Sequence, residues 1–241
     1  MRRQSACRSK QGTLRFKTWG GRRKGAGRRP KNGRAGVPHR KRARLSRHAP
    51  QITTLRLVND VAKVRRWTIF FEIVTAIAAA QRATFRIVEF SVQNGHLHLI
   101  TESDGWKALT DGTRALSIRI ARVINRGLKR KGRVFADRFH ARSLGTPREV
   151  KTALVYVIQN ARKHLAQRGI AVSDEWLDPL SSAGFFRGWN AATRNAADGL
   201  LERWRRRGGS IEDPRAEART WLLRLGWKRH GLLRAADLPA S

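Results

Sequence analysis

The sequence predicts an α+β protein: a ferredoxin-like antiparallel sheet with helices, flanked by a disordered basic tail and a helical extension. Three observations support this. Over residues 50–168 the hydrophobic period switches between 2 and 3.6, in the order β-α-β-β-α-β followed by one more helix. Residues 1–49 contain eighteen Lys or Arg and no acid, with glycine-rich stretches such as Gly20-Gly21-Arg22-Arg23-Lys24-Gly25. Residues 169–241 are rich in Trp and Arg.

The elements follow in order. Gln51–Val58 is a strand candidate. Val61–Arg82 carries Val61, Val64, Trp67, Phe71, Val74 and Ala78 at helical spacing. Thr84–Val92 alternates as a strand does, with Arg86, Val88, Phe90 and Val92 on one face. Gln93-Asn94-Gly95 is a turn signal. His96–Glu102 is the next strand, with Leu97 and Leu99 opposite His96 and His98. Leu109–Lys131 is an amphipathic helix: Leu109, Leu116, Ile120, Val123 and Leu128 turn inward, Arg119, Arg122, Arg126 and Lys129 outward, and Gly132 ends it. Arg133–Leu144 reads as extended. Thr146-Pro147-Arg148-Glu149 opens the last helix, with threonine as cap, proline first and glutamate third, and the helix runs to about Arg168. Beyond the break Asp178-Pro179-Leu180-Ser181-Ser182, two helices are expected over about 190–206 and 214–225.

Composition narrows the partner. The 241 residues include 52 Lys or Arg against 17 acids, a formal charge of +35. Such a chain is drawn to polyanions by counterion release, so nucleic acid is the expected partner and an anionic membrane surface the lesser rival. Without the tail, 34 basic residues still face 17 acidic ones. The tail itself cannot bury enough apolar surface to offset its ordering entropy, and is expected to add phosphate binding without specificity. Cys7 is the only cysteine, which excludes an intrachain disulfide and cysteine-based zinc sites and fits a reducing cytoplasm. The longest apolar stretch, Thr68–Ala80, includes Glu72 and is too short to span a bilayer, and the N-terminus lacks a secretory apolar stretch.

The candidate chemistry lies on one strand and one helix. His96 and His98 are two apart on a strand and share a face. Tyr156, the only tyrosine, and Asn160 are one turn apart on a helix and share a face there. Together they can supply two imidazoles and an amide oxygen for a divalent metal, Mg²⁺ or Mn²⁺, with a phenol beside it. His-x-His alone also fits a zinc or iron site, or two satisfied histidines on a half-buried strand.

The strand HLHLI, the segment RVFADRFHARSL and the helix TALVYVIQNARKH resemble the HUH single-tyrosine transposases, most nearly the REP-associated tyrosine transposases, relatives of insertion-sequence transposases that move single-stranded DNA. The resemblance covers residues 50–168. It implies the HUH endonuclease fold, with His96 and His98 as metal ligands and Asn160 where the family has an amide ligand. It makes Tyr156 the nucleophile, which attacks a phosphate of single-stranded or hairpin DNA to leave a 5′-phosphotyrosine and a free 3′-hydroxyl. One departure is visible: the family often has Asn directly before the first histidine, whereas here the order is Asn94-Gly95-His96. Monomer and homodimer both stay open.

Arg138, His140 and Arg142 alternate along the extended segment and could line a phosphate track, or form an exposed basic strand edge. Arg119, Arg122 and Arg126 could touch DNA or be a solvated helix face. Trp204 and Trp221 could stack bases or pack the C-terminal helices. Glu89 could support the histidines. The alternatives to a transposase are a nucleic-acid-binding protein without catalysis and a metal-dependent nuclease that uses water.

Overall fold

The computed structural model describes residues 45–61, 63–210 and 212–239. Most of the expected basic tail lies outside the described residues. The described residues belong to one compact unit.

Six elements build the sheet and its first cover: β1 (Gln51–Arg56), α1 (Trp67–Ala78), β2 (Phe85–Val92), β3 (His96–Ser103), α2 (Trp106–Gly127) and β4 (His140–Ser143). The strands stand in the order β2-β3-β1-β4, and every neighbouring pair is antiparallel. This is the ferredoxin-like arrangement expected from the sequence. Leu97, Leu99, Phe90 and Val92 turn to one side of the sheet and meet α1 and α2. The Phe70 ring of α1 lies 6.4 Å from that of Phe90. Gly112 of α2 sits so close to the sheet that a Cβ would stand 2.2 Å from Phe85 Cγ. On the other side the registers Thr54↔His98, Arg56↔His96 and Ser91↔His98 gather the polar residues. There α3 (Pro147–Gln167) crosses β2 and β3. Its start is as read: the Thr146 hydroxyl accepts from Glu149 N at 3.2 Å while the Glu149 carboxylate accepts from Thr146 N at 3.1 Å.

Four expectations are corrected. The first helix begins at Trp67, not at residue 61. Val61 and Val64 are buried at helical spacing, but from a loop in which Lys63 has φ 62°. That loop is held by Arg65, which donates to Val92 O at 2.6 Å and pairs with the buried Asp178 at 2.6 Å. In β2 the four-residue face splits. A bulge between Ile87 and Glu89 turns Arg86 toward Glu102 on the histidine side and leaves Phe90 and Val92 on the helix side. The second helix, expected over Leu109–Lys131, runs instead from Trp106 to Gly127, and Lys129 beyond it has φ 49°. The segment 133–144 is extended as expected, with Phe135 bridging Leu57 and the edge strand β4 near its end. The expected helix over 214–225 shrinks to α5 (Trp221–Arg224). Residues before it stay extended because their N–H groups have other acceptors: Ala216 N donates to Ile87 O at 2.9 Å, and Arg219 N and Thr220 N donate to Glu102.

The C-terminal segment closes the open edge of β2. Ser181 bridges Ser91, Val92 N donates to Leu180 O at 3.0 Å, and Phe90 N donates to Ser182 Oγ at 3.0 Å. Behind it α4 (Ala191–Arg206) is capped by Asn190. Its Trp204 is fully buried among Phe70, Phe71 and Phe185, with Nε1–H on Pro179 O.

Glu102 fixes this segment to the sheet. Burial by itself would lift its pKa, but the hydrogen bonds from Thr220, Arg219 and Arg86 outweigh burial and hold the carboxyl below its usual range. Glu102→Ala strands the buried Arg86 guanidinium and two backbone donors. It is expected to cost about 3–5 kcal/mol, read as a lower urea midpoint with loss of the near-ultraviolet signal of the C-terminal tryptophans.

Candidate active site

Strand and helix periodicity bring the four expected residues together. The His96 and His98 rings are 4.3 Å apart on β3, and the Tyr156 ring of α3 is 4.8 Å from that of His98. Asn160, one turn further along α3, places Nδ2 3.2 Å from His96 Nε2. The amide N–H can only donate, so His96 Nε2 accepts and its proton sits on Nδ1. The two ends of the amide have nearly the same shape, and a half-turn would put Oδ1 at that same point.

His98 is 3% exposed. Its Nδ1 lies 3.1 Å from Thr54 Oγ1, one strand over, whereas its Nε2 is buried without a hydrogen-bond partner among the described residues. With Nδ1–H donating to Thr54, Nε2 keeps a lone pair aimed into the site. A buried polar atom left bare is costly, and a lone pair of this kind suits a divalent cation. Two imidazole nitrogens and a rotatable amide are donors that a divalent cation could take, with water completing its shell. Among the described residues no group of three or more His, Cys, Asp or Glu is placed to hold a metal, so a site here depends on the amide.

Both imidazoles are neutral near pH 7. Burial and then the neighbouring His164 lower the His96 pKa to about 4. Burial, then His96 and His164, lower that of His98 to about 3. Histidines in the unfolded chain take up protons near pH 6.5. Between that pH and the folded values the unfolded chain binds more protons, so lowering the pH favours it. With chelator present, urea stability is therefore expected to fall as the pH drops from 7.5 to 5. His98→Leu should flatten that slope.

Tyr156 is half-buried and lines a groove of about 710 Å³ together with Thr54, Arg56, Val58, Asn59, Asn94, His96 and His98, among others. Burial raises the phenol pKa, so it carries its proton at neutral pH. Two residues near the histidines were not singled out from the sequence. Thr54 becomes visible only through the strand register. His164, whose ring is 5.7 Å from that of His96, extends the ladder Tyr156, Asn160, His164 at four-residue spacing, which the sequence does display.

The remaining candidates divide. His140 pairs with Thr54 and Arg142 with Ile52, so both belong to the histidine side of the sheet, at its β4 edge. Both are exposed, and Arg142 is engaged by Glu149 at 2.7 Å. Arg138 is exposed in the bend before β4. Arg119, Arg122 and Arg126 are exposed on α2, across the sheet from Tyr156, and Arg126 pairs with Glu72. Glu89 does not support the histidines: it accepts from Ser182 Oγ at 2.5 Å and forms a buried ion pair with Arg215. Trp204 is too buried to stack a base, whereas Trp221 is 46% exposed, with the Arg229 guanidinium 4.8 Å from its ring. No helix among the described residues is long and apolar enough to cross a membrane.

No family model matches the chain, and no curated protein matches it. Several solved structures are similar in part, two of which are the following. One is a REP-associated tyrosine transposase bound to a REP hairpin, 18% identical over 68% of this chain and 88% of that one, with a TM-score of 0.46. The other is a bacterial tRNA(His) guanylyltransferase-like protein in complex with GTP, 13% identical over 52% of this chain and 70% of that one, with a TM-score of 0.37.

Proposed function

We propose that this protein cleaves and rejoins single-stranded or hairpin DNA by tyrosine transesterification, as a relative of the HUH single-tyrosine transposases. One observation carries the reading: the only phenol in the chain stands in a groove beside a buried imidazole nitrogen that has no hydrogen-bond partner among the described residues, and a second imidazole and an amide converge next to it. The basic charge of the chain supplies the attraction for a polyanion.

A divalent ion, when bound, would stabilise negative charge on a non-bridging phosphate oxygen. His96, His98 and Asn160 would hold it, with the Thr54 hydroxyl fixing the His98 tautomer. Tyr156 Oη attacks phosphorus, the O–P bond forms as the bond to the 3′ oxygen breaks, and that oxygen leaves as the 3′-hydroxyl. The phenolic proton must be lost in the step. No carboxylate lines the groove among the described residues, and His96 and His98 would be held by the ion, so water in the open groove takes the phenolic proton and supplies one to the departing 3′ oxygen. The phosphotyrosine keeps the energy of the ester bond, and attack by a 3′-hydroxyl reverses the step without a nucleotide cofactor.

The test is a search for a covalent adduct. The full chain is incubated with end-labelled single-stranded and hairpin oligonucleotides and Mg²⁺ or Mn²⁺, then resolved under denaturing conditions. The expected product is protein joined to the 5′-phosphate of the downstream fragment, with a free 3′-hydroxyl on the upstream one. DNA binding without adduct or cleavage would make the protein a non-catalytic binder. Deleting residues 1–49 is expected to flatten the salt dependence of binding and leave the cleavage position unchanged; a shifted position would show that the tail reads sequence.

A further inference from the structure

We infer that Arg56 is the residue that grips the phosphodiester in this groove and positions it against Tyr156. The inference rests on the reading of the groove as a nucleic-acid site and adds a residue to it that the sequence motifs do not mark. Arg56 ends β1 and stands directly across from His96 in the β1–β3 register, on the histidine side of the sheet. Its side chain is exposed and lines the groove.

Charge decides the assignment. Of the described residues lining the groove, Arg56 is the one arginine or lysine, and no Asp or Glu stands among them. Arg65 is committed to Asp178 and the Val92 carbonyl, Arg142 to Glu149, and Arg130 to Asp60. No hydrogen bond or ion pair engages the Arg56 guanidinium among the described residues, while its backbone is fixed by Ala136 N donating to Arg56 O at 2.9 Å. A fixed backbone with an uncommitted guanidinium suits a residue that meets an anion from outside. The planar fork of arginine matches two phosphate oxygens at once, a geometry that lysine cannot reproduce.

Because Tyr156 is the only tyrosine, 3-fluorotyrosine places a single ¹⁹F reporter in the groove. The Tyr156-fluorinated full chain is titrated with the dinucleotide TpT and with its methylphosphonate analogue, which lacks the negative charge. In the wild type TpT should move the line, and the neutral analogue should bind on the order of tenfold more weakly, as expected for loss of a charge-assisted contact. In Arg56→Gln the two ligands should bind alike, and Arg56→Lys should restore only part of the preference. Unchanged preference for TpT in Arg56→Gln would overturn the role of Arg56 and leave the nucleic-acid reading of the groove standing. A line moved by neither ligand in the wild type would overturn both. An adduct that never forms beside an intact charge preference would sink only the transesterification. Circular dichroism identifies a misfolded Gln variant, and Arg56→Met then repeats the comparison with the stem length kept.

Discussion

Tyr156→Phe is expected to abolish the protein–DNA adduct, lowering the rate of cleavage by a factor on the order of 10⁴ or more, while hairpin binding changes by less than about twofold. The substitution removes one oxygen. The ring that packs 4.8 Å from His98 stays, and so do the groove walls formed by β1 and β3. No second phenol can substitute, because the chain has one tyrosine. The raised phenol pKa adds a second signature. The protonated phenol is the poorer nucleophile, so the wild-type rate should climb with pH until the phenol ionises or the protein unfolds. Quenched time courses on denaturing gels read both effects. Cleavage that persists undiminished in the Phe variant would move the chemistry to an activated water and make the protein a hydrolytic nuclease.

The sheet and the four clustered residues were legible because they obey local rules. His-x-His fixes a shared strand face, Tyr-x-x-x-Asn fixes a shared helix face, and Thr146-Pro147-Arg148-Glu149 announces the helix that carries the pair. The misread stretches are those where tertiary partners override local pattern. Val61 and Val64 have helical spacing, yet the Arg65 ion pair with Asp178, 113 positions away, holds their segment in a loop. Residues 214–220 read as helical, yet Glu102 and Ile87 capture their backbone donors from the sheet. Glu89 lies on the strand next to the histidines, yet its carboxylate goes to Ser182 and Arg215, in segments whose docking leaves no local trace. Thr54 and Arg56 escaped notice for a related reason. Their importance comes from the β1–β3 register, which a single strand sequence does not encode.

His98→Leu should remove Mn²⁺ binding while leaving the metal-free protein as stable as the wild type or more so, two outcomes that together separate a metal ligand from a structural histidine. His98 Nε2 is buried and unpartnered, a state that costs about 1–3 kcal/mol when no cation is bound. Leucine has a similar volume and carries no polar atom to strand, so metal-free stability near pH 7 should hold or rise. It leaves the Thr54 hydroxyl without the imidazole, but that hydroxyl is only part-buried and water can reach it. If His98 were merely a packed core residue, wild type and variant would bind Mn²⁺ equally poorly. Thr54→Val supplies the graded case. It keeps the ring but removes the partner that orients Nδ1, and loss of such a support is expected to weaken metal binding by about 10–100-fold. Electron paramagnetic resonance of free Mn²⁺ during titration measures affinity, and urea denaturation with chelator measures metal-free stability. A wild type that fails to lower the free Mn²⁺ signal, with a His98→Leu variant that is markedly destabilised, would show that the two histidines are structural and that any chemistry at Tyr156 proceeds without them as ligands.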